Sequence, residues 1–225
     1  MNELKNVSLR SSQLSSKVNI GWILGEIVDT SQVEYKFEDL PRSEIFYSTL
    51  TAALANSGDA LFSLGTMFEF GAVFLEDASL AKVLTIVSDS RTARAVFMLA
   101  EEKGHAEASF RLGLIAHHGI VDAADQDLAA VHFQKGAYNQ HPTCCRMLGI
   151  YSTYAADETL ARKWFLRGAE LGDPICCFNT ALEIEKGNFP GYTTKDSIVF
   201  AGRAADQLPE DDEIQNFFKR LSSMY

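Results

Sequence analysis

One short pattern recurs along the chain, and it constrains the fold more than any other feature. HAEASFRLGLIAHHG, around Leu112-Gly113, aligns with HPTCCRMLGIYSTYA around Leu148-Gly149 and with SGDALFSLGTMFEFG around Leu64-Gly65. Weaker copies are DPICCFNTALEIEKG, with Thr180-Ala181 at that place, and KVNIGWILGEIVDTS, with Leu24-Gly25. The landmark positions Gly25, Gly65, Gly113, Gly149 and Ala181 are 40, 48, 36 and 32 residues apart. A second glycine stands six residues on at Gly71, Gly119 and Gly187. Periods of this size belong to stacked supersecondary units that bury their apolar faces against one another.

Each copy is followed by a second periodic stretch in a shared register. ARKWFLRGAELG (161–172) aligns with AAVHFQKGAYNQ (129–140), ARAVFMLAEEKG (93–104) and SIVFAGRAADQL (197–208). Ala161, Trp164, Phe165, Gly168 and Ala169 fall at i, i+3, i+4, i+7 and i+8, which is one apolar face of an α-helix. A glycine inside a helix costs about 1 kcal/mol against alanine, so its recurrence at one register implies a close packing contact. Asp127, Asp157 and Asp196 stand before the second stretches as N-cap candidates, and Gly104, Gly172 and Gly187 stand where helices should stop. Pro142 and Pro174 suit first-turn positions. The segment between Gly71 and Ala93 is longer than its counterpart between Gly119 and Ala129. It is expected to form an accessory helix, capped at Asp77, or a folded loop.

The combined pattern resembles the Sel-one-like repeat, a relative of the tetratricopeptide repeat. Ala108, Phe110, Leu112, Gly113 and Gly119 match the first helix of that repeat. Ala161, Trp164, Phe165, Gly168, Ala169 and Gly172 match the second, and Gln140 stands where one copy's closing glycine would be. The resemblance implies an all-α, right-handed α-solenoid of about five antiparallel helix pairs with a C-terminal capping helix. The expected organisation is a polar N-terminal segment over 1–15 and repeats over 16–208, with copies at 16–56, 57–104, 105–140, 141–172 and 173–208. The capping helix covers 209–225, where Ile214, Phe217, Phe218 and Leu221 recur at helical spacing. Disulfides tie the two helices of a repeat together in some relatives. That layout is absent here, because Cys144 and Cys176 take the place of Ala60 and Ala108.

Composition narrows the function. A formal net charge of −10 argues against a nucleic-acid binder, which needs a basic stripe. No apolar run approaches the length of a membrane span, and the polar start of the chain lacks a signal-peptide core, so a cytoplasmic location is expected. The four cysteines lie in two vicinal pairs, Cys144-Cys145 and Cys176-Cys177, which read as small core residues with free thiols. No phosphate loop, dinucleotide fingerprint, zinc-protease motif or nucleophile elbow is present, so neither catalysis nor a cofactor is expected. His117, His118, His132 and His141 are close in sequence, yet no carboxylate or cysteine completes a metal-ligand spacing.

What remains is surface. In arrays of the kind this chain resembles, positions one, four and five after the landmark glycine line a concave groove. That implies a partner-binding groove drawn from Glu26, Asp29, Glu69, Phe70, Leu114, His117, His118, Ile150, Tyr154, Leu182 and Glu185, with Arg146 from the row three before the landmark. Trp22, Phe62, Phe110 and Phe178 share the row of Arg146 as groove or core residues. Acids mixed with aromatic anchors suit a protein partner with a basic surface. The leading expectation is a non-catalytic adaptor or scaffold, monomeric or weakly self-associating. The alternatives are an immunity protein or secretion chaperone that neutralises a basic toxin or effector, and a metal-binding or enzymatic regulator using His117/His118.

Overall fold

The computed structural model describes residues 49, 52–53, 55–75, 83–86 and 88–224. Among them are nine helices and two strands: α1 (Gly58–Phe70), β1 (Ala72–Leu75), β2 (Val83–Ile86), α2 (Ser90–Glu102), α3 (Ala106–His118), α4 (Gln126–Tyr138), α5 (Pro142–Tyr154), α6 (Glu158–Glu170), α7 (Pro174–Glu185), α8 (Thr194–Gln207) and α9 (Asp212–Ser222). The chain divides into two compact units, 1–108 and 109–225. The degenerate first copy at 16–56 lies almost wholly outside the described residues, as do Asp77, Trp22 and the 1–15 segment.

In the first unit α1 packs on α2, and the extra segment between them is an antiparallel hairpin, with Ala72 opposite Ile86 and Leu75 opposite Val83. The hairpin stands where an accessory helix or loop was expected. Its strands, AVFL and VLTI, are short apolar runs rich in β-branched residues, too brief to nucleate a helix and well suited to a pleated ribbon. The Asp89 N–H then donates to the Phe68 carbonyl at 2.7 Å, and the Asp89 carboxylate caps α2 by accepting from the Arg91 N–H.

That closing bond recurs in each of the next two copies. The Asp125 N–H donates to the Ala116 carbonyl and the Asp157 N–H to the Ser152 carbonyl, each at 2.9 Å. In every case the acceptor lies three residues beyond the landmark glycine, so the same hydrogen bond ties the start of the second helix to the first in these three repeats. Asp125 and Asp157 cap α4 and α6. Asp127 lies inside the first turn of α4, where its charge favours the helix dipole but caps nothing. Asp196 is likewise inside α8, at the third position of a capping box whose cap is Thr193.

The landmark glycines have a steric cause. A Cβ at Gly65, Gly113 or Gly149 would lie 2.6, 2.3 or 2.7 Å from the ring of Phe97, Phe133 or Phe165, which the second helix of the same repeat presses onto the first. At the fifth copy the landmark is Ala181, and Ala201 occupies the register of those phenylalanines; both are fully buried in one core cluster. Gly136 and Gly168 answer to a second demand. There a Cβ would meet the Sγ of Cys144 or Cys176 at 2.4 Å, so the thiol of the next repeat fills the notch. All four cysteines are free and buried. At the closing-glycine position Gly104 and Gly172 have φ of 78° and 93°, and Gln140 adopts the same left-handed conformation at 65° without glycine's steric licence.

In the second unit two core clusters run along the stack. One gathers Phe133, Cys144, Cys145 and Leu148; the other gathers Cys176, Cys177, Ala181, Phe200, Phe217 and Leu221. The capping helix α9 contributes Ile214, Phe217 and Leu221 to the second cluster, closing the apolar face of α7 and α8.

Candidate protein-docking face

The first helices of the second unit, α3, α5 and α7, present the residues that the register assigned to a groove. Their buried sides fix which residues face out. On α5, Cys144, Cys145, Leu148, Gly149 and Ser152 point inward, leaving Arg146, Ile150 and Tyr151 half-buried and Tyr154 86% exposed. Leu114 packs on the Phe133 cluster and Leu182 on the terminal cluster, so each offers only an edge to solvent.

His117 joins α3 to α5. Its Nδ1 lies 2.5 Å from the Tyr151 hydroxyl and 3.0 Å from Gln126 Oε1, and an Nδ1–H donates to either oxygen. Burial pushes the Tyr151 hydroxyl above its ordinary value, and its ring stands edge-on to Phe133. His118 is exposed and meets His117 edge-to-face at 4.7 Å. His117, His118 and Tyr151 thus form one aromatic, hydrogen-bonding patch at the end of α3, and Tyr154 follows one turn beyond Tyr151. Tyr151 and Gln126 lie outside the groove positions, and the register carried no signal for them.

Two other assigned residues are held by internal charge pairs. Arg146 reaches Asp173 at 3.4 Å; Asp173 is 4% exposed and accepts from the Cys176 N–H at 2.9 Å, capping α7. Glu185 forms a two-pronged pair with Arg220 of α9 at 2.5 and 2.9 Å, and that hydrogen bonding holds its carboxyl below the usual range. Beside it, burial alone would raise Glu183, but hydrogen bonds from Lys186 and Asn188 and the nearby Arg162 outweigh it and leave the carboxyl low. In the first unit Glu69 is half-buried and Phe70 is 65% exposed at the end of α1. Glu26 and Asp29 lie outside the described residues.

The row three before the landmark couples neighbouring repeats. The Phe62 ring stacks on His105 at 4.4 Å, and the Phe110 ring stacks on His141 at 5.0 Å. Each histidine is also a cap, accepting through Nδ1 from the N–H of Ala108 or Cys144. Where Arg146 replaces phenylalanine, Asp173 replaces histidine, so a stacked pair becomes an ion pair at the same joint. Phe178 then meets Phe217 of the capping helix edge-to-face at 5.4 Å. The histidines that looked clustered in sequence are dispersed by this arrangement. His141 caps α5, His132 is buried on α4, and only His117 and His118 adjoin. Among the described residues no group of three or more histidines, cysteines or carboxylates could hold a metal ion, and no helix is long and apolar enough to cross a membrane.

No protein-family model matches the chain, and no curated protein matches it. Solved structures do. A Sel1 repeat protein from Oxalobacter formigenes is similar over 80% of this chain and 77% of its own, with 19% identity and a TM-score of 0.58. A protective antigen present in uropathogenic Escherichia coli strains, displaying an SLR fold, is similar over 72% of this chain with 20% identity and a TM-score of 0.54; the match spans 33% of that antigen's chain. Paired helices in a shared register, glycines seated under phenylalanine rings and joints capped from the next repeat are therefore the parts of an all-α Sel1-like repeat solenoid, and that is the fold of this chain.

Proposed function

We propose that the chain is a non-catalytic repeat module that binds another protein, as an adaptor or scaffold, through the first-helix face of its second unit. The observation that carries this reading is the patch of His117, His118 and Tyr151 beside the fully presented Tyr154. Aromatic side chains with polar tips bury much area on docking at low entropic cost, which is why they dominate interface energetics. Arg146 and Glu185 belong to the joints rather than to the docking surface in this reading, since a partner would have to break an existing ion pair to use them. An immunity or chaperone role directed at a basic toxin would draw on the same patch.

The test is capture of a partner from native lysate by the whole chain and by a Tyr154→Ala/His118→Ala variant. Both substituted residues are exposed, so circular dichroism should be unchanged. Loss of one defined captured protein in the variant supports the reading. Undiminished capture refutes it, as would turnover of a small molecule that a single substitution abolishes.

A further inference from the structure

The second helices carry a different surface. The inward sides of α4 and α8 hold the small and aromatic residues of the core, and equivalent positions on the opposite side of α4, α6 and α8 are exposed. One position stands directly before the small-residue pair, and in the last three copies it holds Lys135, Arg167 and Arg203, all exposed. The shared register gives the three equivalent places on α4, α6 and α8, a row by repeat position. One turn earlier stand Val131 on α4 and Val199 on α8, about half exposed, with Lys163 at the same place on α6. Leu128 and Leu160 open the stripe on α4 and α6 and are also exposed.

Two features set this row apart. First, its sign opposes the whole: the chain carries a net charge of −10, yet the row is positive in three consecutive copies. Second, Arg167 and Arg203 form no ion pair among the described residues, whereas Arg146, Arg162 and Arg220 are all paired with carboxylates. Arg203 lies over the Phe200 ring at 5.6 Å, which fixes the guanidinium without neutralising it. Glu170 and Asp206, three residues beyond these arginines, make no pair with them either.

We propose that this outer face docks an acidic, apolar-anchored segment of a partner protein, a second binding surface distinct from the His117/Tyr154 patch. The cations would meet carboxylates, and the leucines and valines between them would be covered by apolar side chains of the same segment. Densely charged polyanions fit less well. A nucleic acid or an anionic membrane would be repelled by the net negative charge of the rest of the chain and would leave the apolar residues unused.

The probe is a fluorescein-labelled peptide with Glu and Leu at helical spacing, read by fluorescence anisotropy against the full chain. Its counterpart carries Lys in place of Glu. The Glu/Leu peptide should bind, weaken with added salt, and lose about tenfold or more in affinity in an Arg167→Glu/Arg203→Glu variant. An Arg167→Gln/Arg203→Gln variant should lose less, and Tyr154→Ala should leave binding unchanged, which separates this face from the first. No binding of the Glu/Leu peptide, equal binding of the Lys/Leu peptide, or indifference to charge reversal overturns the proposal. So does tighter binding to phosphatidylserine vesicles or to a single-stranded oligonucleotide than to the peptide.

Discussion

Replacing Gly113 by alanine should destabilise the protein, although the same change in an open helix would stabilise it. The added Cβ would lie 2.3, 2.5 and 2.8 Å from three carbons of the Phe133 ring, against a comfortable carbon–carbon contact of about 3.5–4.0 Å. Phe133 is fully buried, so its ring has to move by roughly 1 Å into packed neighbours. Overpacking of this kind costs about 1–3 kcal/mol, with so short an approach placing it near the top of that range. Helix propensity returns about 1 kcal/mol. The net expectation is a loss of about 1–2 kcal/mol, or roughly 2–8 °C in melting temperature for a chain of this size. Urea and thermal unfolding followed by circular dichroism read it directly. The Ala181/Ala201 pair of the fifth copy supplies the control. Phe133→Ala alone should cost about 3–5 kcal/mol, and adding Gly113→Ala to it should now recover about 1 kcal/mol, because the new methyl enters vacated space. A Gly113→Ala protein more stable than the parent, or the same effect of the substitution in both backgrounds, would refute the argument that the ring selects the glycine.

Arg146→Phe should cost about 2–3 kcal/mol by leaving the Asp173 carboxylate buried without its cation, and adding Asp173→His should recover most of it by restoring the stacked joint; denaturant midpoints of the single and double variants decide. Thr180→Val should stabilise by about 1 kcal/mol, since the Thr180 hydroxyl is buried without a hydrogen-bond partner. Burial pushes the Cys145 and Cys177 thiols up to about 11 from 9.0. Folding therefore favours the neutral thiols, and the stability they contribute is whole below pH 9 and is lost as pH rises towards 11. Urea midpoints at about pH 8 and about pH 10 should differ, and the difference should shrink in a Cys145→Ala/Cys177→Ala protein.

The features legible in the sequence were those that repeat. Gly65, Gly113 and Gly149, Pro142 and Pro174 at helix starts, and Gly136 and Gly168 of the small-residue pairs recur at a fixed register, and each set has one steric or capping cause. Asp125 against Asp127 was not separable by pattern, because both lie within one turn of the helix start and only the bond to the Ala116 carbonyl selects the cap. The hairpin was hidden because short apolar runs have no decisive period. The pairs that shape the candidate site were hidden for another reason. His117 with Tyr151 and Arg220 with Glu185 are 34 and 35 residues apart and occur once each, so no register announces them. The Phe62/His105, Phe110/His141 and Arg146/Asp173 series was the exception. It lies in plain view as a paired change at matching positions, readable once the joint is known to bring them together.

That series also decides how the array can grow or shrink. The copy at 105–140 carries Phe110 at its trailing joint and His105 at its leading one, so a tandem duplicate of it would mate with itself. The copy at 141–172 carries Arg146 and His141, and two of them in tandem would set a guanidinium against a capping imidazole. Excising it would seat Phe110 against the buried Asp173 carboxylate. The joints act as keyed connectors: the chain can lengthen by copying one link, while the link beside it holds the order of the rest.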